Sequence, residues 1–87
     1  MANIPGVKVI SCIDPADAKG LLKSAIRDND PVCVMESEVM YGLKGEVPDG
    51  EYTLPLGVAD IKRAGTDVTI VSFGKIIKEA LLAAEEL

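Results

Sequence analysis

The chain has 87 residues, of which 48% are hydrophobic but only 3% aromatic, and its formal net charge is −5. This composition excludes a disordered chain, and the length allows one small domain with a largely aliphatic core. The acidic balance argues against a nucleic-acid partner, no apolar run approaches a membrane span, and the first residues show no signal-peptide pattern.

The first part of the chain carries the pattern of a strand followed by a helix. The β-branched run at residues 7–10 predicts the strand. Asp14 as N-cap and Pro15 at the first helical position predict the start of the helix. Gly20 would weaken this helix by about 1 kcal/mol relative to Ala, which predicts close packing against a neighbour. One face carries apolar residues at helical spacing, and the other carries basic residues that point away from it: Ala18, Leu21, Leu22, Ala25 and Ile26 against Lys19, Lys23 and Arg27.

A second strand is predicted directly after this helix. Residues 28–31 end the helix, because the residue before Pro31 is disfavoured in helical conformation. Residues 32–35 are apolar on both faces, as in a central parallel strand. The three elements together predict a βαβ unit.

The rest of the chain predicts a long excursion and then a new unit. Glycine and proline interrupt residues 37–65 every few positions, which predicts a linker with one edge strand around residues 57–61. Residues 67–73 predict a further strand, and Gly74 turns the chain into a second helix with Ile77, Ala80, Leu81, Ala84 and Leu87 on its apolar face. Since such a strand and helix need a sheet to join, we expect a piece of a larger α/β protein.

No catalytic arrangement is visible in the sequence. Histidine is absent, which removes the commonest general base. Cys12 and Cys33 are isolated, which favours reduced thiols in a reducing compartment over a disulfide or a metal pair. Residues 42–45 lack the Lys-Ser/Thr and the helix of a phosphate-binding loop.

Two other places allow either a functional or a structural interpretation. Gly74 and Lys75 after a strand could form an anion-binding helix start or an ordinary tight turn. Glu36 and Glu38 follow a buried strand, so they could be functional carboxylates or a solvated pair in a loop.

The turn after the first helix has a physical argument for binding a cation. The last carbonyl groups of the helix lack partners and lie at the negative end of its dipole, and Asp28 and Asp30 add acidic side chains. Such oxygen atoms suit a hard cation, although a capped turn that holds only water is the other interpretation.

Two adjoining motifs carry a resemblance to a known family. Residues 17–31 (DAKGLLKSAIRDNDP) and residues 32–42 (VCVMESEVMYG) resemble the β subunit of the thiamine diphosphate-dependent first component of 2-oxo acid dehydrogenase complexes, most closely in pyruvate dehydrogenase. The resemblance extends from residues 4–10 (IPGVKVI) to residues 67–74 (DVTIVSFG) and beyond.

This resemblance implies an α/β fold in three parts. Residues 1–50 would be the rear part of a transketolase-like pyrimidine-binding domain, built on the βαβ fragment. Residues 51–65 would be a linker. Residues 66–87 would be the first strand and helix of a transketolase C-terminal-type domain.

The resemblance also implies a potassium site. Similar β subunits hold a structural potassium ion largely through backbone carbonyls, which by motif would be those of Ala25, Ile26, Asp28 and Asp30, joined by an upstream residue outside this chain. Asp30 stands where many relatives have Asn, and backbone ligation tolerates that difference.

The implied parent enzyme uses thiamine diphosphate to decarboxylate pyruvate oxidatively and passes the acetyl group to a lipoyl group. Its cofactor-contacting Glu and its His would precede these residues, so we expect no catalytic or cofactor-binding residue here and no activity of the chain alone. The implied partners are the α subunit, a second β subunit and the acyltransferase core, with residues 36–42 leading toward a subunit interface. The implied location is the bacterial cytoplasm or an organelle matrix.

Two alternatives stay open. The chain could be a non-catalytic α/β interaction or scaffold module. It could also belong to a branched-chain 2-oxo acid or acetoin dehydrogenase, which shares most of these motifs.

Overall fold

The first half of the chain forms a βαβ unit. The computed structural model describes all residues, 1–87, with strands β1 (Lys8–Ser11) and β2 (Val32–Met35), helices α1 (Pro15–Arg27) and α2 (Ile77–Glu86), and short 3-10 helices at Glu38–Met40 and Gly74–Ile76. The two strands pair in parallel, with Lys8 opposite Val32 and Ser11 opposite Met35. Parallel neighbours need a crossover connection, which α1 supplies. The predicted α/β fold class is confirmed.

Helix α1 begins and ends where its sequence signals predict. The Asp14 side chain accepts the backbone N–H of Asp17 at 2.8 Å, and Pro15 occupies the first turn, where a missing N–H costs no hydrogen bond. The helix ends at Arg27, and Asp28 is extended.

Residues 48–56, the strap, have no helix or strand assignment and lie along α1. The Leu54 N–H donates to the Gly20 carbonyl at 3.2 Å, and the Ser24 hydroxyl donates to the Leu54 carbonyl. The Tyr52 hydroxyl donates to the Ala16 carbonyl at 2.8 Å. Gly20 is the one buried residue of the chain, and a Cβ there would lie 2.6 Å from Leu54 Cγ. The close packing predicted at Gly20 is therefore confirmed.

Charged groups fasten the same strap from the side. Lys19 Nζ donates to the Pro48 carbonyl at 2.7 Å and to the Gly50 carbonyl at 3.0 Å. Glu51 pairs with Lys23 at 2.6 Å and with Arg27 at 2.5 Å. These basic side chains do not point into open solvent as the apolar pattern suggests; they hold the strap in place.

The strands predicted at residues 57–61 and 67–73 are absent. No residue between 57 and 73 is in a strand, and residues 67–72 make no backbone hydrogen bond. A strand requires a neighbouring strand for its N–H and C=O groups, and nothing in this chain supplies one there. Within residues 57–73, the Lys62 ammonium group instead forms a 2.9 Å salt bridge with the Asp17 carboxylate of α1. Helix α2 is confirmed.

The interior is shallow. No hydrophobic side chain is fully buried, and the α1 stripe leaves Leu22 48% and Ile26 75% exposed. The radius of gyration is 14.1 Å, against about 12 Å for a compact domain of this length. Neither helix has the length and apolar character needed to cross a membrane.

Candidate functional site

The predicted cation-binding residues lie where α1 ends and leads into β2: Ala25 and Ile26 are in the last helical turn, and Asp28 and Asp30 follow the helix. The Asp28 N–H donates to the Ala25 carbonyl at 3.3 Å, and Asp28 Oδ1 accepts the Asp30 N–H at 2.8 Å. This second bond is the local side-chain-to-backbone bond by which Asp commonly fixes a turn. The side chain of Asp28 therefore holds the turn in one shape.

Most of the proposed carbonyl ligands in this turn are without a protein partner. The Ala25 oxygen accepts one hydrogen bond. The carbonyl oxygens of Ile26, Asp28 and Asp30 accept none. Because they lie at the negative end of the α1 dipole, they form the kind of oxygen-rich, electronegative turn that attracts a hard cation.

One lysine pairs with both acidic side chains of the turn. Lys8 Nζ lies 2.7 Å from Asp28 Oδ2 and 3.3 Å from Asp30 Oδ2. Hydrogen bonding to Asp28 and then to Asp30 raises the pKa of Lys8, and the same ammonium group lowers the pKa of Asp28. The Asp28 carboxylate is therefore engaged by Lys8 and by the Asp30 N–H, whereas the carbonyl oxygens of Ile26, Asp28 and Asp30 accept no hydrogen bond.

Lys8 is a part of this site that the sequence interpretation missed. Its backbone N–H donates to the Pro31 carbonyl at 3.0 Å, and it lies opposite Val32 in the sheet. Parallel pairing places the starts of both strands at one edge, so the first residue of β1 necessarily lies beside the turn that precedes β2. Parallel pairing of the two predicted strands was the signal that could have found it.

An open groove of about 490 Å³ adjoins the turn, between α1 and the strap. Lys8, Arg27 and Asp28 supply its charges, and residues 53–56 with Ser24 complete its walls. The groove brings the turn and the end of the strap together at one end of α1.

A smaller groove of about 260 Å³ lies at the carboxyl ends of the two strands. Open α/β sheets commonly bind ligands at this edge. Its acidic lining residues are Asp14 and Glu36, and Cys12 also lines it. Burial raises the pKa of the Cys12 thiol, which keeps the sulfur protonated and weakly nucleophilic. Both cysteines of the chain are free.

The two glutamates after β2 are solvent-exposed. Glu36 accepts a hydrogen bond from the Tyr41 hydroxyl at 2.7 Å, and this bond raises the pKa of Tyr41. Glu38 is the first residue of the short 3-10 helix Glu38–Met40, which lies between Glu36 and Tyr41 in the sequence. The pair shapes a loop, and no cluster of three or more His, Cys, Asp or Glu side chains is placed to hold a metal ion.

Comparison with known proteins gives the same family as the sequence motifs. The family model for the transketolase pyrimidine-binding domain matches residues 1–44. Over 85 residues the chain is 54% identical to the β subunit of acetoin:2,6-dichlorophenolindophenol oxidoreductase from Bacillus subtilis, covering 98% of this chain and 25% of that protein.

Two further relatives from Bacillus subtilis match to a similar degree. The β subunit of the pyruvate dehydrogenase E1 component is 52% identical over 88 residues, covering 100% of this chain and 27% of its own length. The β subunit of 2-oxoisovalerate dehydrogenase is 52% identical over 87 residues, covering 99% of this chain and 27% of its own length. The chain thus spans about a quarter of the length of these relatives, and the resemblance seen in its motifs is confirmed.

Proposed function

Because this chain belongs to the transketolase pyrimidine-binding domain family, we propose that it is part of the β subunit of a thiamine diphosphate-dependent 2-oxo acid dehydrogenase. The parent enzyme decarboxylates pyruvate oxidatively and transfers the acetyl group to a lipoyl group. The observation that carries this proposal is the 52% identity, over nearly the whole chain, to the β subunits of pyruvate dehydrogenase and 2-oxoisovalerate dehydrogenase, beside the 54% identity to that of the acetoin enzyme.

The surface of the chain supports a role inside a larger assembly. Seventeen large hydrophobic side chains are exposed, among them Ile26 at 75%, Val39 at 76% and Ile61 at 80%. Extended apolar exposure of this kind marks surfaces that other protein surfaces cover. The proposed partners are the α subunit, a second β subunit and the acyltransferase core, in the bacterial cytoplasm or an organelle matrix, with residues 36–42 facing a subunit.

The residues of this chain supply structure to that enzyme rather than chemistry. Thiamine diphosphate supplies stabilisation of a carbanion when it is bound. The groove at the carboxyl ends of the strands does not fit its diphosphate, because the charged groups that line it, Asp14 and Glu36, are both acidic. No catalytic step is assigned to these residues.

A dye-reduction assay tests the proposal and its substrate. The β subunit that contains these residues would be co-expressed with the α subunit of the same organism and given pyruvate, acetoin or 3-methyl-2-oxobutanoate in turn, with 2,6-dichlorophenolindophenol as acceptor. We expect cofactor-dependent reduction with pyruvate. Reduction with acetoin alone would favour the second candidate, to which the 54% identity also points. Activity with none of them would leave the non-catalytic module.

We also propose that the turn after α1 holds potassium through the carbonyl oxygens of Ala25, Ile26, Asp28 and Asp30. Three of these oxygens accept no hydrogen bond, and Lys8 already pairs with both nearby carboxylates. The ligands would therefore be backbone atoms, and the Asp28 side chain would act only by fixing their positions.

Thermal melting of the parent subunit in potassium and in tetramethylammonium buffers tests this site, since a ligand that binds the folded state stabilises it by mass action. Asp28→Gly removes the bond to the Asp30 N–H and should raise the potassium concentration that stability requires. Asp28→Asn keeps an oxygen acceptor for that N–H and should retain the potassium response, as should Lys44→Ala on an exposed loop. Equal melting temperatures in both buffers would remove the site.

A further inference from the structure

Lys62 joins the later part of the linker to the start of α1. Its Nζ lies 2.9 Å from Asp17 Oδ2 and 3.6 Å from Asp14 Oδ2, both at the beginning of the helix. A third carboxylate, that of Asp60 in the linker itself, lies 2.7 Å from the same nitrogen. The side chain of Lys62 is 25% exposed and that of Asp17 is 16% exposed, so the contact is largely sheltered from solvent.

The helix start accepts this lysine only because of its acidic residues. The N-terminal end of a helix dipole is positive, so it stabilises carboxylates and disfavours an ammonium group. Asp14 uses both of its oxygen atoms here, because Oδ1 accepts the Asp17 N–H and caps the helix while Oδ2 faces Lys62. The same side chain therefore begins the helix and receives the linker.

Three carboxylates share this one ammonium group. Partial burial lowers the pKa of Lys62, but hydrogen bonds to Asp60 and then to Asp17 outweigh it and raise the pKa, so the group stays charged. The bond to Lys62 also lowers the pKa of Asp60. Without the lysine charge, Asp60 on the linker would face two carboxylates of like charge on the helix, which repel it. The contact would change from attractive to repulsive.

The course of the chain depends on this contact. The strap runs toward the carboxyl end of α1 and reaches Ser24 through the Leu54 carbonyl. Gly57 then adopts φ 79° in a turn, and by Lys62 the chain has returned to the helix start. Lys62 makes the hydrogen bond and the ion pairs that join residues 57–65 to α1.

We propose that Lys62 is an ionic latch, which holds residues 57–65 folded back on the start of α1 and releases them when its positive charge is removed. A single exposed ion pair contributes little, whereas several charges in a network contribute more. The latch sets the direction in which the chain leaves the βαβ unit. This inference rests on contacts within these 87 residues and does not depend on the proposed enzyme.

Trypsin cleavage after Arg63 measures release of the latch, since proteolysis reports how often a docked segment opens. Lys62→Met removes the charge and should make this cleavage several-fold faster. Lys62→Arg keeps a cation and should leave the rate close to that of the unmodified chain. Lys44→Met is the matched control, because Lys44 is exposed on a loop outside the cluster, and it should also leave the rate unchanged. Each rate is divided by that of a peptide of residues 57–67 with the same substitution.

A second substitution distinguishes a latch from a general loss of stability. In the Lys62→Met chain, Asp60→Asn removes the linker's share of the repulsion, so the double variant should be cleaved more slowly than Lys62→Met alone. If Lys62 contributed only general stability, loss of another residue of the cluster would not slow cleavage. Circular dichroism measures whether α1 persists in each variant.

The salt response tests the latch without any substitution. Salt screens the attraction in the unmodified chain and the repulsion in the Lys62→Met chain, so the corrected cleavage rate should rise with salt in the first and fall in the second. The proposal is overturned if the rate of the unmodified chain does not rise with salt, if Lys62→Met is cleaved no faster than Lys44→Met, if Lys62→Arg is cleaved as fast as Lys62→Met, or if Asp60→Asn does not slow cleavage of the Lys62→Met chain.

Discussion

Replacing Gly20 by alanine should destabilise this protein, although the same change stabilises most helices. In an exposed helix interior Gly→Ala gains about 1 kcal/mol. Here the added Cβ would lie 2.6 Å from Leu54 Cγ and 2.9 Å from Tyr52 Cε2, so the strap must move away from α1. Forced overpacking costs about 1–3 kcal/mol, which leaves a net destabilisation of about 1 kcal/mol after the helical gain. The Leu54 N–H donates to the Gly20 carbonyl at 3.2 Å, so its hydrogen exchange with solvent should also become faster.

Urea unfolding together with amide hydrogen exchange at Leu54 measures both effects. Leu54→Ala supplies the matched background, because it removes the two Leu54 atoms that the new Cβ would meet and leaves only Tyr52 Cε2 at 2.9 Å. In that background Gly20→Ala should be less destabilising, because only the Tyr52 contact remains, and the two changes should show a coupling of about 1 kcal/mol or more. If Gly20→Ala alone stabilises the chain and leaves Leu54 protected, the strap does not pack on this helix as described.

Three further predictions follow from individual contacts. Tyr52→Phe removes the 2.8 Å hydrogen bond to the Ala16 carbonyl and should lower the free energy of urea unfolding by about 0.5–1.5 kcal/mol. Tyr41→Phe removes an exposed hydrogen bond to Glu36 and should change that free energy by less than about 0.5 kcal/mol. Equal effects of the two changes would contradict a stabilising role for the Tyr52 bond. Lys8 lowers the pKa of Asp28 from its ordinary 3.8, so this pair stabilises the fold above that pH and the contribution is lost as the pH falls through the lowered value. Lys8→Met should therefore weaken the chain at neutral pH and flatten its acid-side loss of stability, and an unchanged pH profile would count against the pair. Calorimetric titration of the 87-residue chain with thiamine diphosphate and magnesium should give no saturable binding, since the groove at the strand ends is lined by acidic groups; saturable heat at micromolar cofactor would contradict that expectation.

The sequence predicts those elements whose stabilising contacts are local. The Asp14 cap and Pro15 set the start of α1, and Pro31 sets the end of the turn, because each acts within a few residues along the chain. The predicted strand at residues 67–73 fails for the opposite reason. Its residues have strand propensity, but its hydrogen bonds must come from a partner that this chain does not contain.

The candidate site shows the same division. The turn and its free carbonyl groups follow from the helix end, which the sequence marks clearly. The position of Lys8 beside Asp28 does not follow from the helix end, because it depends on the register of two strands separated by a helix. The strap was also missed, since glycine and proline at residues 48–57 predict a break in regular structure but not the surface on which the broken segment lies.

The way the strap matches α1 limits how the chain length can vary. Tyr52 reaches Ala16 and Leu54 reaches Gly20, so two extended residues advance alongside about one helical turn. These distances are close, about 6.6 Å against about 6 Å. Because side chains alternate along an extended segment, one inserted residue between Tyr52 and Leu54 would turn one of them outward. We therefore expect insertions and deletions to be tolerated at residues 42–47 and after residue 57, and to be excluded from the strap itself.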